Sequence, residues 1–267
     1  LHLLSRRQRQ MCIRDSCKHA LQEAEGDFDK AVDIIRKKGL IVASKRADRE
    51  AKEGCVLAVV EGKKGVLVSL NCETDFVAKN ENFINFTKQI LKTALENMPA
   101  DLNSLLALKL DGRSIADQIA EQTGIIGEKL ELSFYGKLEA EDAIAYIHPG
   151  NKLATIVGFN KPADMQVKKD VAMQVAAMDP ISIDKNDVPE SVIAHELEIG
   201  KEKAREEGKP ENMLEKIAQG RLNKFFQEST LMNQAFIKEA KQTVKAYIQS
   251  NDKDLTVTGF VRYTLND

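Results

Sequence analysis

Apolar positions in this chain change their spacing several times, and each change marks an element. Near the start, Ala20, Leu21 and Ala24 share one helical face, and Gly26 ends the run. Asp27 is placed to cap a second helix, on which Phe28, Ala31, Val32 and Ile35 recur at i, i+3, i+4 and i+7. Gly39 reads as its C-terminal stop. From Leu40 to Lys52, the cations Lys45, Arg46, Arg49 and Lys52 are spaced among Ala43, Ala47 and Ala51, which predicts a basic linker helix. Its charge fits either a solvated face or a contact with an acidic partner.

The spacing then shortens to two. Cys55 to Val60 is apolar and β-branched, Glu61 to Gly65 is turn chemistry, and Val66, Val68, Leu70 and Cys72 alternate with Leu67, Ser69 and Asn71. This predicts a hairpin whose second strand is half-buried. A helix with Phe83, Phe86, Ile90 and Ala94 in a stripe follows and stops before Pro99. Asp111 to Gly124 reads as helix and Glu128 to Tyr135 as strand. The hairpin-then-helix order then returns. Ala143 to Ile147 and Leu153 to Phe159 are strands around the turn His148 to Asn151, and a helix from Asp164 to Met178 carries Val167, Val171, Val175 and Met178. Two such units predict an internal structural repeat.

Beyond Pro180, the charged helical stretches Glu190 to Glu207 and Glu211 to Glu228 flank Gly208-Lys209-Pro210. Leu214, Ile217, Leu222 and Phe225 give them a narrow seam, which predicts a protruding antiparallel helical hairpin. A helix near Lys238 to Ile248 and a strand Thr256 to Leu265 return to the second subdomain. The fold class is α+β. The expected divisions are a helical module and linker at 17–53, a first core subdomain at 54–140, and a second at 141–180. The helical hairpin takes 181–229, and residues 230–267 complete the second subdomain.

Composition narrows the function. The 267 residues are 43% hydrophobic and 30% charged, which suits packed cores. Basic residues number 39 against 41 acidic ones, so a globally basic nucleic-acid surface is disfavoured. Trp is absent and aromatics are 5%, which argues against a stacking platform for single strands. No apolar run approaches the roughly 20 residues of a membrane helix. Cys12, Cys17, Cys55 and Cys72 form no CxxC pair and the four histidines are scattered, so free thiols in a reducing cytosol are expected, with no zinc site. HExxH, GxSxG, GxxxxGK[ST] and GxGxxG are all missing. A protein that is not an enzyme, with no metal and no cofactor, is expected.

Residues 1–16 stand apart, with Arg6, Arg7, Arg9 and Arg14 and no acid before Asp15. A transit peptide, a basic arm and a foreign or misjoined segment are the three readings.

The chemistry concentrates between the first hairpin and its helix, at Thr74-Asp75-Phe76-Val77-Ala78-Lys79-Asn80. In one reading Asp75 caps the coming helix and Phe76 joins the core. In the other, an apolar plug beside a carboxylate is aimed at a partner's charged site. That segment, following Asn71-Cys72, resembles the signature of the bacterial elongation factor Ts family. Further blocks resemble it in order: Cys17-Lys18-His19-Ala20-Leu21, Gly26-Asp27, Arg36-Lys37-Lys38-Gly39, Val171 to Ala177, Gly208 to Asn212, Lys224-Phe225-Phe226 and Val257 to Tyr263.

The resemblance implies a guanine nucleotide exchange factor for elongation factor Tu, binding its GDP-bound and nucleotide-free forms in the bacterial cytoplasm. An organellar counterpart is left open. It implies that Thr74, Asp75, Phe76 and Val77 dislocate the partner's magnesium, and that a ubiquitin-associated-type module grips through Lys18. Gln174 stands where many relatives carry histidine and is a further expected contact. The helical hairpin would pair with a second copy or brace the partner; no nucleic acid and no membrane are implied. The family's first helix leads into an Asp-Cys-Lys run, whereas here Asp15-Ser16-Cys17 has an extra residue. The main rival is a non-catalytic helical module that binds RNA or another protein. An enzyme using Asp75 with a second carboxylate lacks a spaced partner.

Overall fold

The computed structural model describes residues 18–265, so the expectations for residues 1–16 and for Cys17 lie outside them. The protein mixes helix and sheet and divides into two compact units. Unit 1 takes the described residues up to 57, 68–135 and Leu265; unit 2 takes 58–67 and 136–264.

Unit 1 opens with helix α1 (residues 18–23), then α2 (Phe28–Lys45). Asp27 caps α2 as expected, its Oδ1 accepting the Lys30 N–H at 3.1 Å. The buried face is only part of the expected one: Ala31 and Ile35 lie on it, but Phe28 and Val32 do not. Ala20, Ala24 and Ala31 form the small core, with Ile34 and Ile35 against them. Phe28 is 72% exposed, and Val32 and Leu21 are exposed as well. Two overlapping stripes satisfy the 3.6-residue period in this stretch, and the small alanines of α1 select the one through Ala31.

Gly39 does not stop α2, which continues to Lys45. A Cβ built on Gly124 of helix α6 (Ile115–Ile126) would lie 2.4 Å from the Gly39 Cα. Gly39 therefore permits close helix approach rather than termination. The expected basic linker helix is thus only the end of α2. A turn at residues 46–48 follows, and then strand β1 (Glu53–Glu61).

Strand β2 (Lys64–Cys72) is buried on both faces from Gly65 onward, not on one. Its polar residues are satisfied internally, as burial requires. The Asn71 Oδ1 accepts the Ser69 and Ser133 hydroxyls, each at 2.7 Å, and its Nδ2 donates to the Ala51 carbonyl at 3.0 Å. The single turn α3 (Asp75–Ala78) leads to α4 (Glu81–Asn97), which buries Phe83, Ile90, Leu91 and Ala94 and leaves Phe86 half-buried. Met98, with φ at 45°, closes α4 before Pro99. A short α5 (Leu102–Ala107) follows.

Asp111 to Gly124 is not one helix. Strands β3 (Lys109–Leu110) and β4 (Arg113–Ser114) pair across Asp111-Gly112, whose φ angles are 50° and 82°. That is the left-handed backbone an Asp-Gly hairpin turn favours. Ser114 then caps α6, accepting the Asp117 N–H at 3.1 Å. Strand β5 (Glu131–Glu139) completes a three-stranded sheet of order β1-β2-β5.

In unit 2, β6 (Asp142–Ile147) and β7 (Leu153–Phe159) form the second hairpin. Helix α7 (Met165–Met178) follows, its Asp164 cap accepting the Gln166 N–H at 2.8 Å. It buries Val167, Val171 and Val175, but Met178 is exposed where the helix ends at Asp179 in left-handed backbone.

Helices α8 (Glu190–Glu206) and α9 (Glu211–Ser229) form an antiparallel pair around Gly208. Their seam is built from Gly200, Ala204, Leu214, Ala218 and Leu222, with Ile217 and Phe225 only half-buried. Small residues set the spacing here: a Cβ on Gly200 would meet the Ala218 Cα at 3.1 Å.

Lys238 to Ile248 splits into strand and helix. β8 (Ala235–Phe236) pairs with β9 (Glu239–Thr243), and α10 (Val244–Asn251) starts at the Thr243 cap. β10 (Val257–Thr264) pairs antiparallel with β7, giving the order β10-β7-β6. Val157, Phe159, Val171, Leu231, Phe236 and Ile248 lie in the unit's core. In both sheets a hairpin is followed by helix, and a later strand joins beside the hairpin's second strand.

Candidate partner-binding site

β2 ends at Cys72, and the chain turns through Glu73 and Thr74 into α3. Val77 and Ala78 are buried, whereas the Phe76 ring is 58% exposed. Asp75 occupies the first helical position, where a carboxylate complements the helix dipole, and pairs with the Lys79 ammonium at 2.7 Å. Neither residue takes the place that the capping-and-core reading gave it. The cap of α4 is Asn80, whose Oδ1 accepts the Asn82 N–H at 2.9 Å, and Phe76 is not a core residue.

The turn is anchored on both sides. The Thr74 N–H donates to Glu128 Oε2 at 3.0 Å, and its hydroxyl donates to Oε1 at 2.8 Å. Glu73 Oε1 accepts the Arg46 guanidinium at 2.8 Å and the Lys129 N–H at 2.6 Å, while Oε2 accepts Arg49 at 3.0 Å. Burial pushes the Glu73 pKa upward, but the Lys129, Arg46 and Arg49 hydrogen bonds overcome it and hold the carboxyl below its ordinary value. The Cys72 thiol donates to the Thr74 carbonyl at 3.2 Å. Burial, with the charge of Glu128 next, pushes its pKa up to about 12. Such a thiol stays protonated and is no nucleophile near neutral pH. The buried Cys55 is likewise pushed up to about 11.

The structure thus brings Thr74, Asp75, Phe76 and Val77 together on one anchored turn. Lys18 lies exposed at the first described position of α1 in the same unit. Gln174 is placed otherwise. It is fully buried in unit 2, its Nε2 donating to Gln234 Oε1 and the Ala235 carbonyl, each at 3.1 Å. Its Oε1 accepts the Ile237 N–H at 2.9 Å. In this structure it is an internal strut of unit 2.

Sequence reasoning missed Glu128 and the role of Glu73, because neither lies in a periodic pattern. The one usable signal was the charge of Arg46 and Arg49, and the acidic group they meet is Glu73 of this same chain. Among the described residues, no cluster of His, Cys, Asp and Glu suits a metal ion. No helix among them is long and apolar enough to cross a membrane. The site offers an aromatic plug and a carboxylate on a fixed mount.

Comparison with known proteins places this geometry in context. Residues 73–267 match the family model described as elongation factor TS. Elongation factor Ts of Porphyromonas gingivalis is 51% identical over 251 residues, covering 94% of this chain and 92% of that protein. The protein of the same name from Azobacteroides pseudotrichonymphae is also 51% identical, with the same coverage. That of Christiangramia forsetii is 48% identical over 253 residues, covering 93% and 92%.

Proposed function

Because this chain belongs to the elongation factor Ts family, we propose that it acts as a guanine nucleotide exchange factor for elongation factor Tu. The observation that carries the mechanism is the exposed Phe76 ring beside Asp75 on an anchored turn. A GTPase holds GDP through magnesium bridging phosphate oxygens and through backbone amides around the phosphates. Phe76 enters an apolar gap beside the magnesium site, and Asp75 disturbs the polar network that supports the metal. Thr74 and Val77 keep the turn in shape. No bond is made or broken by the factor, so it is not an enzyme and needs no cofactor.

The factor need only prefer the nucleotide-free partner over the GDP-bound one. Each 1.4 kcal/mol of preference weakens GDP binding about tenfold, and linkage lets GTP displace the factor by the same coupling. The α1–α2 pair serves as the gripping, ubiquitin-associated-type module with Lys18 at its surface. Gln174 acts at one remove by holding Ala235 and Ile237 in place. The work is done in the cytoplasm. The rival RNA-binding reading is weakened because Arg46 and Arg49 are engaged by Glu73.

Release of fluorescent GDP from elongation factor Tu, followed by stopped flow, tests the proposal. The wild-type chain should accelerate release strongly, and the Asp75→Ala, Phe76→Ala double variant should lose most of that acceleration. Acceleration that survives the double substitution would move the mechanism elsewhere. A folded wild-type chain that accelerates nothing would overturn the function itself.

A further inference from the structure

We infer that Glu128 is a positioning residue for exchange: its buried carboxylate fixes the Thr74 turn and so sets the angle at which Phe76 is presented. The inference rests on the exchange function proposed above. α3 has four residues, and a single turn cannot hold its own shape or direction. Its direction must come from its anchors. Thr74 stands at the N-cap position, where a threonine hydroxyl normally accepts a helix N–H. Here it makes no such cap bond; it donates to Glu128 instead. The two carboxylate oxygens each take one Thr74 donor, and a two-point clamp on a charged acceptor fixes orientation as well as distance.

The clamp sits just beyond the end of α6, in the short connection to β5. α6 ends at Gly127 in left-handed backbone (φ 75°), and Glu128 follows directly. The next residue, Lys129, donates its N–H to Glu73, so residues 73–74 and 128–129 bind each other reciprocally. Functional side chains keep their geometry when such a supporting shell locks them.

Glu128→Gln tests this with little change of shape. One oxygen becomes an NH2: facing the Thr74 N–H it breaks that bond, and facing the hydroxyl it reverses that bond by donating to Oγ1, so in either orientation the clamp loses the charge that strengthens it. Amide hydrogen exchange at Thr74, Ala78 and Lys79 should quicken about tenfold, as expected for the loss of one charge-assisted bond. In the GDP-release assay the maximal rate should fall about tenfold, while the partner's Kd changes less than about threefold. Thr74→Val should do the same, and the double variant should be no slower than either single one.

Unchanged amide protection in a folded Glu128→Gln chain overturns the inference, whatever the release assay shows. Lost protection with an unchanged release rate also overturns it. A loss confined to Kd would make Glu128 a docking residue and overturn it too. A wild-type chain without exchange activity sinks the exchange function and the positioning role together. The amide protection data would still judge the clamp itself.

Discussion

At Phe76 solvent, not core, receives most of an aromatic ring, so truncation removes little buried surface. Phe76→Ala should therefore cost less than about 1.5 kcal/mol of folding stability, below the value for a fully buried ring. Ile90→Ala, in the core of the same unit, should cost about 2–5 kcal/mol. Urea denaturation of both variants checks the contrast; equal losses would mean the Phe76 ring is packed. Asp142 is the reverse case, a charge held inside. Its carboxylate accepts Lys168 Nζ at 2.9 and 2.8 Å and the Ala163 N–H at 2.9 Å. Burial raises its pKa, but the Lys168 hydrogen bond and then the Ala163 N–H outweigh it and leave the folded value depressed. A depressed folded pKa stabilises the protein above the unfolded value of about 3.9 and ceases to do so as pH falls through the folded one. Lys168→Met should cost about 3–5 kcal/mol near neutral pH by stranding that charge, and less in acid where Asp142 is protonated. Stability measured by urea at several pH values decides; a loss that does not shrink below about pH 4 would refute the pairing argument.

Between helices, the same substitution should act with opposite sign at two glycines. Gly220 lies in α9, and a Cβ there meets nothing within 4 Å. Gly220→Ala should stabilise by about 0.5–1 kcal/mol through helix propensity. Gly124→Ala gains the same propensity but drives a methyl into the Gly39 backbone. Overpacking of about 1–3 kcal/mol should exceed the gain and loosen α2 from α6. Thermal unfolding of the two variants should move in opposite directions. The Gly39–Gly124 crossing also explains where sequence reading fell short. A helical glycine reads as a stop unless its distant neighbour is known, and Gly124 is far along the chain. Phe28 and Val32 departed from their stripe for a similar reason, since only α1 decides which side of α2 is covered. Asp111-Gly112, by contrast, was legible turn chemistry hidden inside an apparently helical run. The hairpins, α4, α7 and the α8–α9 pair were legible because their periodicity is long and their ends are marked by Asn80, Asp164, Gly208 and Pro210. At the site, the motif itself stood out, but its anchors did not. Glu128 acts through a contact between residues far apart in sequence, and single residues carry no period.

For the molecule as a whole, basic and acidic residues nearly balance, and each unit fixes carboxylates below their ordinary range. Glu73 does so in unit 1; Asp142 and Asp170 do so in unit 2. Burial opposes the Asp170 shift, and Lys238 with Tyr247 and Gln166 outweighs it. Both units should thus lose stability as pH drops below about 4, and a stability profile that is level from neutral pH to pH 3 would contradict this. Deleting residues 257–267 should leave β7 with an open edge and make the chain prone to associate, which light scattering would detect. The late strand also has a consequence for how the protein comes into being. A chain emerging from a ribosome has the main stretches of unit 1 in hand once Tyr135 is made. Unit 2 must keep residues 58–67 and the second hairpin waiting until β10 is translated, a delay on the order of ten seconds at about 5–20 residues per second. Half of the protein thus waits unfinished on the ribosome until one late strand arrives.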